Sequence, residues 1–278
     1  MQKLDETGMK RKSIALRRDI LTMLSRAGSG HTGGSLSIVE ILVELYYRRM
    51  NIDPREPSKR DRDRFVLSKG HACPALYAVL ADLGFFPREE LWTLRKLGSR
   101  LQGHPQYGLP GLEISSGSLG QGLSVAVGLA LADRMDSLDN KVYCLMGDGE
   151  TNEGQIWEAA MTASHYSLSR LYGIVDFNKL QIDGFTCDVQ HPGEFRHKWE
   201  KFGWHTVEVD GHDFQQLSKG FDELDGASDR PKLMIAHTVK GKGVSFIENK
   251  AGWHGIAPKE KELASALEEL KEQEEALI

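Results

Sequence analysis

Cysteine is nearly absent from this chain. Its three cysteines, Cys73, Cys144 and Cys187, stand far apart, and no Cys-x-x-Cys pair occurs. Neither a disulfide framework nor a thiolate zinc site can be built from them, so a reducing, cytoplasmic setting is expected. Long apolar runs are missing too: none approaches the roughly 20 residues that a membrane-spanning helix needs. The start, Met1-Gln2-Lys3-Leu4-Asp5-Glu6, is polar and charged, unlike a secretory leader. Excess positive charge is also lacking. Lys and Arg number 35 against 40 Asp and Glu, a net charge of −5, which argues against nucleic acid as a partner. The most basic stretch, Lys59-Arg60-Asp61-Arg62-Asp63-Arg64, alternates in sign and reads as a solvated loop. No internal repeat, low-complexity tract or domain linker interrupts the chain, so residues 1–278 are expected to form a single domain.

What is present is an ordinary globular balance, 278 residues with 40% hydrophobic and 27% charged side chains. Ile14, Arg17, Ile20, Leu21 and Leu24 recur at helical spacing, up to a glycine cluster at Gly28 to Gly34. Further helices are predicted from about Ser37, over Pro74–Leu83, Pro87–Leu97, Gly120–Met135, Gln155–Tyr166 and Phe214–Leu224, and from Lys259 onward. Strands are predicted at Arg64–Ser68, Val142–Met146, Leu171–Val175, His205–Asp210 and Leu233–Thr238. Ser99–Gly117 is rich in Gly and Pro and reads as a long loop, a length usually tied to function. Strands alternating with helices predict an α/β fold with a doubly wound, mostly parallel sheet.

Two strand ends carry chemistry. Met146-Gly147-Asp148-Gly149-Glu150-Thr151-Asn152-Glu153-Gly154 follows one apolar run, and Phe177-Asn178-Lys179-Leu180-Gln181-Ile182-Asp183-Gly184 follows another. Ligands of parallel sheets sit at strand carboxyl ends. Asp148, Asn178 and the Leu180 carbonyl offer a few hard oxygens, a set that suits Mg2+ (or Ca2+ or Mn2+) completed by phosphate oxygens and water. Gly147 and Gly149 let the backbone approach a phosphate, and the N–H groups of Gly149 and Glu150 can face a diphosphate. Ten histidines are an unusual number, and several lie in glycine-rich loops.

Gly147-Asp148-Gly149, the following helix and Asn178 together resemble the thiamine diphosphate motif. Other segments narrow the resemblance to the transketolase family: Ser29-Gly30-His31-Thr32-Gly33-Gly34, Asp63 to His71 with Leu76-Tyr77-Ala78 behind it, Gln102-Gly103-His104-Pro105, Gly111 to Gly122, and Trp253-His254-Gly255. The resemblance runs in order over nearly the whole chain. It implies the diphosphate-binding domain of the thiamine diphosphate fold, with thiamine diphosphate as cofactor. His71 and His254 are implied to lie at the diphosphate, and Gly117, Ser118 and Leu119 to wrap the cofactor. Glu153 is implied to join a hydrogen-bond network between the two cofactor sites of a dimer. His31, His104 and His254 are implied to line the substrate channel, bind the ketose hydroxyls and carbonyl, and shuttle protons, work suited to a group that titrates near neutrality. His165, His191, His197, His205, His212 and His237 match no role and read as structural. Lys240-Gly241-Lys242-Gly243 departs from the usual transketolase sequence and resembles the 1-deoxyxylulose-5-phosphate synthases. Two readings of it stay open, a place beside phosphate charge and a solvated loop.

In this family the glutamate that binds the aminopyrimidine ring, and the arginines for the donor phosphate, belong to a second domain. After His254 this chain continues only into a helix of Glu, Lys and Leu. The expectation is therefore the N-terminal subunit of a split transketolase. It would transfer a two-carbon ketol unit from a ketose to an aldose together with a C-terminal, pyrimidine-binding subunit, in a heterotetramer with two copies of each. The alternatives are a subunit of a 1-deoxyxylulose-5-phosphate synthase-like or 2-oxo acid dehydrogenase-like enzyme, and a non-catalytic cofactor-binding subunit.

Overall fold

The structure, a computed structural model, describes residues 4–182, 184–227 and 229–277. Asp183, part of the second strand-end segment, lies outside them. The first helix, α1 (Glu6–Ala27), begins where the Asp5 carboxylate accepts the Gly8 N–H and ends at Gly28, whose φ of 65° few other residues adopt. Next come α2 (Thr32–Leu36) and α3 (Val39–Glu44), the latter widening into a π turn over Leu45–Arg49. Then follow β1 (Arg64–Leu67), α4 (Cys73–Asp82), α5 (Gln121–Met135), β2 (Val142–Gly147), α6 (Gly154–His165) and β3 (Leu171–Phe177). The chain closes with α7 (Thr186–Val189), α8 (Phe195–Lys201), β4 (His205–Asp210), α9 (Phe214–Gly226), β5 (Lys232–His237) and α10 (Glu260–Glu275).

The strands form one sheet in the order β1-β2-β3-β5-β4, and every neighbouring pair is parallel. Alternate side chains enter two separate cores. Tyr143, Leu145, Tyr172, Ile174, Met234 and Ala236 pack with α1, α3, α4, α9 and α10. Cys144, Met146, Val175, Leu233 and Ile235 pack with α5, α6 and α8 on the other face. Helices on both faces explain why the strands read as unbroken apolar runs, and they make the sheet doubly wound as expected. The register sets Gly147 beside Asp176 and Phe177 beside His237. The turns leaving β2, β3 and β5 therefore emerge side by side.

The helix expected over Pro87–Leu97 is a 3₁₀ turn, Arg88–Thr93. Leu91 and Leu94 are already buried, whereas Leu97 is fully exposed and finds no core. Arg95 takes a φ of 62°, and its N–H donates to the Leu101 carbonyl at 2.8 Å, reversing the chain toward Gly103-His104. Helix α8 was not expected: its seven residues bury only Phe195 and Trp199, too short a pattern to show periodicity.

Candidate active site

The turns after β1, β2, β3 and β5 surround a cavity of about 390 Å³. Lys69 and His71 come from the end of β1, Asp148 to Glu150 and Glu153 from that of β2, and Asn178, Leu180 and Gln181 from that of β3. Lys240 and His254 follow β5, while His31, His104, Gly117 and Leu119 close the walls. Of the residues singled out in the sequence only Ser118 is not on this wall; it is exposed beside Gly117.

The histidines converge. The His31 ring centroid lies 5.1 Å from that of His71, 5.9 Å from His104 and 5.4 Å from His254, and His71 and His254 are 5.2 Å apart. Burial, then the Arg95 charge, lowers His31 to about 4. Burial and Lys240 lower His254 to about 3. His71 falls well below its ordinary value through burial and Lys69, and His104 is lowered by burial and Arg95. At neutral pH all four are neutral imidazoles, each able to donate and to accept. His31 Nδ1 is buried and has no partner among the described residues.

The same cavity carries the hard oxygens of Asp148, Asn178 and Leu180. Asp148 Oδ1 accepts the Gly149 N–H at 2.8 Å, and Oδ2 accepts the Lys179 N–H at 2.6 Å. Asn178 Oδ1 accepts the Leu180 N–H at 3.1 Å, and the Leu180 carbonyl accepts from Lys240 Nζ at 3.2 Å. Burial, reinforced by Asp176, raises Asp148 to about 6. The Gly149 N–H, expected to face a diphosphate, is thus engaged by Asp148. The Glu150 carboxylate is likewise engaged within the protein. It accepts the N–H of Gly120 and of Gly147, each at 2.9 Å, and binds the Ser68 hydroxyl, clamping the Gly117–Gly120 loop to β2.

Several residues of the site escaped the sequence reading. Asp176, fully buried on β3, accepts from Lys69 Nζ at 2.5 Å, Ser37 Oγ at 2.7 Å, Asn178 Nδ2 at 2.9 Å, and the Thr238 hydroxyl. It fixes Lys69 in the cavity wall and aims the Asn178 amide. A charged residue inside an apolar strand run was the available signal, since such a group must be paired when buried. Geometry separates the two lysines of this segment: the buried Lys240 ammonium donates to His254 Nδ1 at 2.8 Å, whereas Lys242 is half-exposed, 3.7 Å from Glu248. Arg95, held against Gly103, has no carboxylate partner among the described residues, and its charge reaches both His31 and His104.

The donor set fits a hard cation joined to a diphosphate. The candidate ligand atoms are oxygens, two lysines line the same wall, and the buried Gln181 Nε2 on it has no partner among the described residues. A cation at Asp148, Asn178 and Leu180 would replace hydrogen bonds with coordination.

A family model described as transketolase, thiamine diphosphate binding domain, matches residues 10–275. The chain belongs to the transketolase family. It is 43% identical over 261 residues to one subunit of the apulose-4-phosphate transketolase of Phocaeicola vulgatus, covering 94% of this chain and 93% of that one. It is also 43% identical over 266 residues to one subunit of the 6-deoxy-6-sulfo-D-fructose transketolase of Clostridium sp., covering 95% and 97%. Against human transketolase the identity is 42% over 250 residues, 89% of this chain but 39% of the human one. The solved transketolase of Campylobacter jejuni superposes with a TM-score of 0.88 at 30% identity, over 97% of this chain. This chain spans 45% of that structure's length. The matched fold is the family's thiamine diphosphate-binding domain, and these likenesses are to transketolases, the main reading of the sequence.

Proposed function

We propose that this chain is the diphosphate-binding subunit of a two-chain transketolase, which moves a ketol unit from a ketose to an aldose. The observation that carries the reading is the convergence of His31, His71, His104 and His254 in the one cavity that Asp148, Asn178, Leu180, Lys69 and Lys240 also line. Relatives of matching length are named as transketolase subunits. Asp148, Asn178 and the Leu180 carbonyl hold Mg2+, which Ca2+ or Mn2+ can replace. Lys69 and Lys240 face the diphosphate, and Gly117 and Leu119 flank the cofactor. When bound, thiamine diphosphate supplies the electron sink that lets a carbon–carbon bond beside a carbonyl break.

The chain's own residues bind, orient and move protons. Neutral His31, His104 and His254 hydrogen-bond the sugar hydroxyls and carbonyl. An imidazole that starts neutral can take the proton of a hydroxyl and return it to the product without leaving a buried charge behind. Arg95, without a carboxylate partner among the described residues, suits a substrate with an anionic end. The partner is the C-terminal, pyrimidine-binding subunit, in a heterotetramer with two copies of each chain, in the cytoplasm. Asp148→Ala tests the anchor: Mg2+-dependent binding of thiamine diphosphate, followed by calorimetry, is expected to be abolished, and an unchanged affinity would remove the assignment.

A further inference from the structure

Val239 and Lys242, the residues on either side of Lys240-Gly241, are gripped from behind by one buried chain of side chains. The Val239 N–H donates to His212 Nε2 at 2.8 Å. His212 Nδ1 lies 2.8 Å from Glu40 Oε2 on α3. Glu40 in turn receives Arg17 of α1 in a fork, at 2.6 and 2.8 Å. Arg17 Nε closes the circuit by donating to the Lys242 carbonyl at 2.8 Å. Arg17 and Glu40 are both buried, and His212 nearly so. The turn has little freedom beyond this. Gly241, at φ 85°, donates its N–H to the Gly33 carbonyl at 3.0 Å, and a Cβ on Gly243 would stand 2.8 Å from Arg17 Cδ.

We propose that His212, backed by Glu40 and Arg17, is a positioning residue that sets the Val239–Lys242 turn, and through it the Lys240 ammonium and the His254 ring. Its chemistry is one-directional. A backbone N–H only donates, so His212 Nε2 must accept, and the ring proton sits on Nδ1 facing Glu40. Burial alone would raise Glu40, but Arg17 and His212 together carry it well below the usual carboxylate range, so Glu40 stays an acceptor. No member of this chain lines the cavity; His212 acts on it only through Lys240. The positioning role rests on the geometry of the turn, and its consequence for the cofactor rests on the proposed function.

Histidine-ring nitrogen NMR of the wild-type chain is expected to show His212 as the Nδ1–H tautomer. The Nε2–H tautomer would overturn the proposal without any variant having to fold. His212→Phe keeps the bulk and loses both hydrogen bonds. It is expected to move the His254 ring signals as Lys240→Met does, and to add nothing further in a Lys240→Met background. His212→Gln, with a carbonyl for Val239 and an amide for Glu40, is expected to restore them. Unmoved His254 signals in folded His212→Phe, or no rescue by glutamine, would overturn the role. With Mg2+ present, thiamine diphosphate binding to His212→Phe is expected to weaken about tenfold, the usual scale for removing an outer partner of a liganded site. A wild-type chain that binds no cofactor would sink the proposed function instead, and the ring NMR still decides the positioning role.

Discussion

At the scale of single residues, charge in this site is arranged so that each ion depends on another. The Lys240 ammonium stands 3.2 Å from the carbonyl expected to ligate the metal and 2.8 Å from His254 Nδ1, and burial followed by Lys69 lowers it to about 8. It is still largely a cation at neutral pH, so it attracts a diphosphate and suppresses protonation of His254. Lys240→Met should weaken cofactor binding about tenfold, since a hydrogen bond to a charged group contributes about 1.5–3 kcal/mol. It should also raise the His254 pKa, read by NMR titration; neither change appearing would detach Lys240 from the site. Asp148 gives a pH dependence of definite sign. Raised to about 6 by burial and Asp176, it must lose a proton before it can ligate a cation. Mg2+ affinity should therefore be flat above that value and fall below it, reaching about a tenfold loss one unit lower. Mg2+ titrations at matched ionic strength check this, and an affinity constant down to pH 5 would count against Asp148 as ligand.

Elements carry these residues to one place by ordinary packing, and most of that was legible. Apolar runs ending in Gly-Asp-Gly and in Asn marked the exits of β2 and β3, because a strand buried on both faces has no polar positions to hide it. Less legible were the pieces whose form depends on a distant contact. Arg88–Thr93 stops early because Leu91, Trp92 and Leu94 reach the core but Leu97 does not, and Asp176 with Lys69 makes sense only once β1 and β3 lie with β2 between them. His212 read as structural, and its ring does lie outside the cavity; that it grips the Lys240 turn depends on a contact 172 residues away in sequence. Gly120, at the start of α5, shows how tightly the elements meet. Its φ is 87°, and a Cβ there would lie 2.7 Å from Glu153 Cβ. Gly120→Ala adds left-handed strain of about 1–2 kcal/mol to overpacking of about 1–3 kcal/mol. Chemical denaturation should show a loss of about 2–5 kcal/mol by those two terms together, whereas a change within about 0.5 kcal/mol, the scale of a neutral surface substitution, would mean the loop is not held against α6.

At the scale of the whole molecule, the cavity is equipped for one end of the cofactor. Among the described residues its carboxylates are those of Asp148, Glu150 and Glu153. Asp148 belongs with the metal oxygens, and Glu150 is engaged by the N–H groups of Gly120 and Gly147. Glu153 is exposed and makes no side-chain hydrogen bond among the described residues, as suits a group that meets another chain. Among the described residues no lining carboxylate is thus left to bind the aminopyrimidine ring, the task the family gives to a glutamate of its second domain. Binding and turnover should therefore separate. The purified chain should bind thiamine diphosphate with Mg2+ and transfer no ketol unit. Titration with the pyrimidine-binding subunit should bring activity that saturates at one partner per chain, measured by release of aldose from a ketose donor. Asp148→Ala should abolish that activity in the complex without preventing assembly, because Asp148 is buried at the end of β2 and offers no surface to a partner. Sustained transfer by the chain alone would place the missing carboxylate within it and overturn the two-chain reading.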